Sequence, residues 1–148
     1  MKLKKLIHTA FISLCLGTGC ATAPMADKEA EAQAKTFSVK PNKANIYIYR
    51  GYFLPNAGWT VPILIDDNKV GELPISAFLV KEVDPGLHVI VGKASTDGEV
   101  KIVTEAGRNY FIWIKLAADM GSLFGKVEME VLDEAHGQAG VSQYGLVK

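Results

Sequence analysis

From Ala44 onward, apolar and polar positions alternate in short runs broken by turn residues, the period of strands rather than helices. Ala44 to Arg50 alternates Ile and Tyr. Val61 to Asp66 forms a second run, in which Pro62 marks an edge or a bulge. Asp66-Asp67-Asn68-Lys69 turns the chain into Val70 and Gly71, and Ala77 to Val83 is a third major run. Asp84-Pro85-Gly86 then supplies a turn, with Pro presetting φ and Gly permitting a positive one. In Leu87 to Lys93, the residues Leu87, Val89 and Val91 share a face and His88 lies opposite. Thr96-Asp97-Gly98 and Ala106-Gly107-Arg108-Asn109 are further turns, leading into Val100 to Glu105 and Tyr110 to Leu116. The last of these is apolar on both faces, as a central strand is. Gly125 to Leu132 alternates Val127, Met129 and Val131 with Lys126, Glu128 and Glu130.

Such spacing predicts an all-β domain over residues 44–148, a small antiparallel β-sandwich of about seven strands. Its expected core is Ile46, Ile48, Ile63, Leu87, Val89, Val91, Ile112 and Ile114. A short C-terminal helix is expected within Asp133 to Gln143, against the disfavour of Gly137 and Gly140. Residues 20–43 are rich in Ala, Glu, Lys and Gln with little to bury, and read as a tether. A flexible chain of that length spans roughly 25 Å root-mean-square.

The first residues change the picture. Lys2, Lys4 and Lys5 precede an apolar stretch from Leu6 to Leu16, too short for the roughly 20 residues that a bilayer span needs. Gly17, Thr18 and Gly19 lead to Cys20. This series resembles the signal of bacterial lipoproteins, with Leu16 one place earlier than the leucine usual there. The resemblance implies cleavage before Cys20, so that residues 1–19 are a signal peptide. It also implies lipidation of the Cys20 thiol, acylation of the new N-terminus, palmitate being an expected chain, and anchoring in a membrane. Ala21 in place of Asp implies the outer membrane, with the domain facing the periplasm. The alternatives from the residues alone are an ordinary secretory signal cut near Ala21 or Ala23 and a cytosolic chain with a chance apolar start.

Charge and cysteine usage agree with such a location. The 16 basic and 16 acidic residues balance, but three of the basic ones leave with the signal, so the remainder is acidic by about three charges. That argues against binding nucleic acid. Of the two cysteines, Cys15 lies inside the apolar stretch, which leaves neither a disulfide framework nor a cysteine metal cluster.

The run Ala44-Asn45-Ile46-Tyr47-Ile48-Tyr49-Arg50 is similar to the opening strand of a family of bacterial lipoprotein domains, domain of unknown function 2846. Val70-Gly71-Glu72-Leu73 and Pro85-Gly86-Leu87-His88 match its later segments. The resemblance covers about residues 44–116 and extends to sandwich modules of the PEGA type. It implies a β-sandwich in the cell envelope and no catalytic residues.

Chemistry-bearing motifs are few. No serine stands in a nucleophile elbow, and the glycines form no phosphate loop. Asp66 and Asp67 read as a turn pair, His88 as a strand residue bonding the turn, and His136 with Asp133 and Glu134 lacks further metal ligands. No cofactor or metal is therefore expected. The most suggestive segment is Gly51 to Trp59, where Tyr52, Phe53 and Trp59 could anchor an envelope protein or a glycan, or fold back to plug the sandwich. A second apolar tip runs from Met120 to Gly125. The expectation is a membrane-anchored envelope lipoprotein, a non-catalytic binding or structural module. The alternative is an enzyme acting on wall or lipid material.

Overall fold

The computed structural model describes residues 23–52, 57–117 and 125–148. The elements are α1 (Lys28–Ala34), β1 (Ala44–Arg50), β2 (Val61–Ile65), β3 (Asn68–Leu73), β4 (Ala77–Val83), β5 (Gly86–Gly92), β6 (Gly98–Thr104), β7 (Asn109–Ala117), β8 (Lys126–Leu132), α2 (Glu134–Ser142) and β9 (Gly145–Leu146). They form a β-sandwich of a five-stranded sheet, β8-β7-β1-β4-β9, and a four-stranded sheet, β3-β2-β5-β6. Most neighbours are antiparallel, but β1 runs parallel to β7 and β4 parallel to β9.

Alternation along β1 divides the core in two. Ile46 and Ile48 point between the sheets, where they meet Ile63, Ile90, Ile112 and Ile114. Tyr47 and Tyr49 point the other way, yet they are buried too, beneath α2, Phe37 and the C-terminal segment. The five-stranded sheet is thus covered on both faces, which is why every residue of β1 is buried and why β7 is apolar on both sides.

The helices supply the third layer. Asp133 caps α2, accepting from the backbone N–H of His136 at 3.0 Å, and the helix falls where the sequence predicts it. Gly137 and Gly140, poor helix formers, let it lie close. A Cβ at Gly137 would be 2.1 Å from Phe111 Cγ, and one at Gly140 2.4 Å from Tyr49 Cζ.

The described part of the expected tether, residues 23–43, is docked. Met25 bridges to Val147, and Lys148 donates its backbone N–H to Pro24 at 2.9 Å. Tyr47 Oη donates to the carbonyl of Ala34, Asn45 Nδ2 to that of Ser38 and Asn109 Nδ2 to that of Phe37. Composition reads this stretch as having little to bury. It adheres because Phe37 packs tilted against Tyr47 and edge-on to Phe111, and the backbone carbonyls after α1 accept from asparagines on the sheet.

The expected core needs one correction. Ile46, Ile48, Ile63, Ile112 and Ile114 are buried as expected, but Leu87 is 64% exposed and Val89 and Val91 are only partly covered. The inner face of β5 carries His88, Ile90 and Gly92 instead. Close approach of β8 decides this. Cβ atoms at Gly92 and Gly98 would lie 2.9 and 2.7 Å from Val127 Cγ1, so the face with the glycines must point inward. Leu87 then stands outside, opposite Val103, itself 68% exposed. Pro62 sits in an inner strand, just outside the ladder to β5 and one residue before a register shift against β3, the bulge alternative of its reading.

Candidate functional site

The sheet register builds a row across three strands on the helix-covered face. Tyr49 of β1 pairs with Trp113 of β7, which pairs with Glu130 of β8. Helix α2 covers the next row, over Tyr47 and Phe111, and leaves Trp113 and Glu130 beside it as the floor of an open groove of about 610 Å³. Tyr144, just after α2, stacks on Tyr49 with ring centroids 6.0 Å apart and forms one wall; Tyr52 forms another. A smaller depression of about 120 Å³ continues from Trp113 between Tyr52, Arg50 and Leu116.

The polar atoms of this groove stand out. Tyr49 is only 7% exposed, and its hydroxyl makes no hydrogen bond with any described residue; nor do the hydroxyls of Tyr144 and Tyr52 or the indole N–H of Trp113. Buried polar atoms are normally paired, and this hydroxyl faces the groove, where water or a ligand can pair with it. Burial, with Tyr144 and Glu130 adding to it, pushes the Tyr49 phenol above its ordinary pKa, which keeps it a donor at neutral pH. No lysine or arginine lines the groove, while Glu130 forms no ion pair among the described residues.

Of the aromatics that the sequence singles out, the two described ones, Tyr52 and Trp59, line different depressions. Tyr52, 62% exposed, joins Trp113 and the two tyrosines. Trp59, 37% exposed, lines a separate depression of about 280 Å³ with Val61, Pro62, Lys93 and Leu116. Phe53, Cys20 and the apolar tip up to Phe124 lie outside the described residues. Trp59 is held through its backbone. The Arg50 guanidinium, 2% exposed, donates to the Trp59 carbonyl at 2.5 Å and to that of Leu73 at 3.3 Å. Burial lowers the Arg50 pKa to about 10, still charged at neutral pH. Sequence reading missed Arg50, Trp113 and Tyr144. The alternation of Tyr47 and Tyr49 against Ile46 and Ile48, and the two apolar faces of Tyr110 to Leu116, signalled an aromatic second face.

The two histidines among the described residues have partners. His88 Nδ1 bonds Asp66 Oδ2 at 2.6 Å and Nε2 bonds the Asp84 carbonyl at 2.8 Å, while Asp66 Oδ1 accepts from the Val89 N–H. This clasp ties the β2–β3 turn to the β4–β5 turn. Burial disfavours the charged ring, but the bonds to Asp66 and Asp84 outweigh it and the pKa is raised. His136 bonds Asp133 at 2.6 Å and is largely exposed. Among the described residues no group of three or more His, Cys, Asp or Glu could hold a metal, and no helix is long and apolar enough to cross a membrane.

Compared with known proteins, residues 40–123 match the model of a family described as "Protein of unknown function (DUF2846)", a stretch that contains β1 to β7. The chain is also similar to an uncharacterized protein of Haemophilus influenzae, at 33% identity over 132 residues, 87% of this chain and 76% of the relative. No solved structure matches.

Proposed function

The chain belongs to the DUF2846 family, and from that premise we propose that it is a lipid-anchored, non-catalytic binding module of the cell envelope. The observation that carries the binding role is the groove over Trp113, with unpaired aromatic donors, one of them on a side chain only 7% exposed. The basic, apolar and small-residue series ending at Cys20 supports the anchor, and Ala21 supports an outer-membrane destination facing the periplasm.

Docking of residues 23–43 changes what that anchor does. The chain is held from Pro24 onward by its bond to Lys148. Four residues from Cys20 to Pro24 reach at most about 14 Å when fully extended. The domain therefore sits against the bilayer instead of ranging over a tether of 25 Å or so. Thioether-linked diacylglycerol plus an N-acyl chain gives the two or more hydrophobic chains that stable attachment requires.

Two measurements test this reading. Mass spectrometry of the membrane-extracted protein should show an acylated N-terminus at Cys20; an unmodified terminus at Ala21 or beyond refutes the anchor. Capture of partners from solubilised envelope should fall at least tenfold for a Tyr52→Ala, Trp113→Ala double variant that keeps its cooperative melt. Undiminished capture refutes the groove as the binding site.

A further inference from the structure

We infer that the outer face of the four-stranded sheet lies on the lipid bilayer, as a second membrane contact beside the acyl chains on Cys20. This rests on the lipid-anchor reading and specifies which surface of the domain the anchor lays on the membrane. The two sheets differ on their outer sides. The five-stranded one is covered by α2, Phe37 and the C-terminal segment, whereas among the described residues no helix packs over β2, β5 and β6. That uncovered face is apolar. Leu64 pairs across the ladder with Val91, and Leu87 with Val103, while Val89 stands between them on β5. Leu87 and Val103 are exposed and the other three are partly so. A contiguous exposed apolar patch of this kind marks a contact with a partner or a membrane.

The path of the N-terminal chain selects the membrane. Met25 bridges to Val147 just after β9, at the edge of the five-stranded sheet, and Ala23 packs against the core between the sheets. Since β9 runs parallel to β4 and Met25 lies antiparallel to Val147, the chain traced back from Met25 to Pro24 heads toward Val83, away from the end that holds Tyr52. Leu87 and Val103 lie at that same end, because β5 starts directly after the turn that follows Val83. The link from Pro24 to Cys20 reaches at most about 14 Å. Sheets in a sandwich lie about 10 Å apart, so the link can bring the acyl chains level with the four-stranded sheet. The far edge at β8 is four strand spacings from β9, about 19 Å, and out of reach.

Charge agrees. On the apolar face lysines and carboxylates are matched: Lys69 bonds Glu72 at 2.6 Å and Lys101 approaches Glu99 at 3.3 Å. Lys69 stands opposite Leu64 in the register and Lys101 opposite Val89. Their aliphatic stems can extend the apolar surface while the ammonium groups meet lipid phosphates. The helix-covered side presents Glu128, paired with Lys115 at 4.0 Å, and the exposed Glu130, Asp133 and Glu134, which anionic headgroups repel. Asp66, Asp67 and Asp84 in the turns make the nearby tip acidic as well, so the domain rests on its sheet face and not on its end.

The test uses the membrane-extracted chain, reconstituted into vesicles of phosphatidylethanolamine and phosphatidylglycerol. On the anchor reading Cys15 leaves with the signal and the Cys20 thiol is held in a thioether, so a cysteine introduced elsewhere is the one free thiol. Leu87→Cys, Val103→Cys and, on the opposite side, Glu134→Cys are each labelled with bimane. Lipid carrying a nitroxide just below the headgroup is then added as quencher. Quenching at positions 87 and 103 is expected to be at least fivefold stronger than at 134. Adding Leu87→Glu to the Val103→Cys chain should at least halve the quenching at 103 at an unchanged melting temperature, because Leu87 is exposed. Equal quenching at all three positions overturns the inference, and so does quenching at 103 that Leu87→Glu leaves unchanged, since nearness to the anchor would then account for it. Crosslinking of Leu87→Cys chains to one another without lipid quenching would put a second copy on this face and overturn it too. Mass spectrometry of the same sample separates the two readings. With Cys20 acylated and no preference for 87 and 103, the face assignment falls and the anchor stands; with Cys20 unmodified, both fall.

Discussion

Replacing Gly137 by alanine sets two effects of opposite sign against each other. In a free helix the change stabilises by about 1 kcal/mol, since alanine is the best helix former and glycine among the worst. In α2 the added methyl would lie 2.1 Å from Phe111 Cγ and 2.3 Å from its Cβ. Carbon atoms pack best at about 3.5–4.0 Å, so the overlap is roughly 1.5 Å. The atoms it meets are the root of the side chain, fixed to β7, and cannot swing aside. The helix must lift, which loosens Val141, fully buried, and uncovers part of Phe111 and Tyr47. Overpacking of this kind costs about 1–3 kcal/mol, occasionally more. With so large an overlap against a fixed backbone the cost falls at the upper end, about 3 kcal/mol, and after the helix gain of about 1 a net loss of about 2 kcal/mol is expected, which for a domain of this size lowers the melting temperature by roughly 6–10 °C. Urea denaturation should show a lower midpoint at unchanged slope. Ala139→Gly, on the exposed side of the same helix, serves as the control and should lose about 1 kcal/mol from propensity alone. If Gly137→Ala is as stable as the parent, α2 does not rest on Phe111 at this distance and the covered face of the sheet is wrongly assigned.

Two further outcomes test other parts of the structure. Ile90→Ala should cost about 2–5 kcal/mol in a denaturation series and Leu87→Ala no more than about 0.5, so the reverse ranking would restore the opposite face of β5 to the core. The His88 clasp should be pH-dependent: with the folded pKa raised above about 6.5, its contribution is fully present below that pH and lost as pH rises through the folded value. The stability gap between the parent and His88→Ala should therefore be larger at pH 5.5 than at pH 9, and a gap that grows with pH would show that the ring is not held as the cation.

The strands were legible because period-two alternation and turn residues are local properties. Ala44 to Arg50, the Asp66-Asp67 turn and the alternation of β8 could be read directly, and so could a short helix within Asp133 to Gln143. The hairpin turn is made by Asp66 and Asp67 with φ of 50° and 63°, left-handed values that Asp tolerates better than most residues. The candidate site was legible only in part. Tyr52 was singled out from its loop, but Trp113 and Tyr144 lie about 60 and 90 residues further along, and no local pattern says that a parallel β1–β7 pairing sets Trp113 beside Tyr49.

What the sequence determined by itself is the strand period, the turns and the basic, apolar and small-residue series that leads to Cys20. Each depends on residues within a few positions of one another. Tertiary structure decided which face of a strand lies inside, as in β5, where apolar side chains occur on both faces and the space beside Val127 admits only glycine. It also decided that residues 23–43 pack against the domain, and that two glycines unfavourable to a helix are what allow α2 to lie on the sheet. The physical reason is common to all three. Alternation encodes that a face can be buried, whereas what buries it depends on close contacts between segments far apart in the chain.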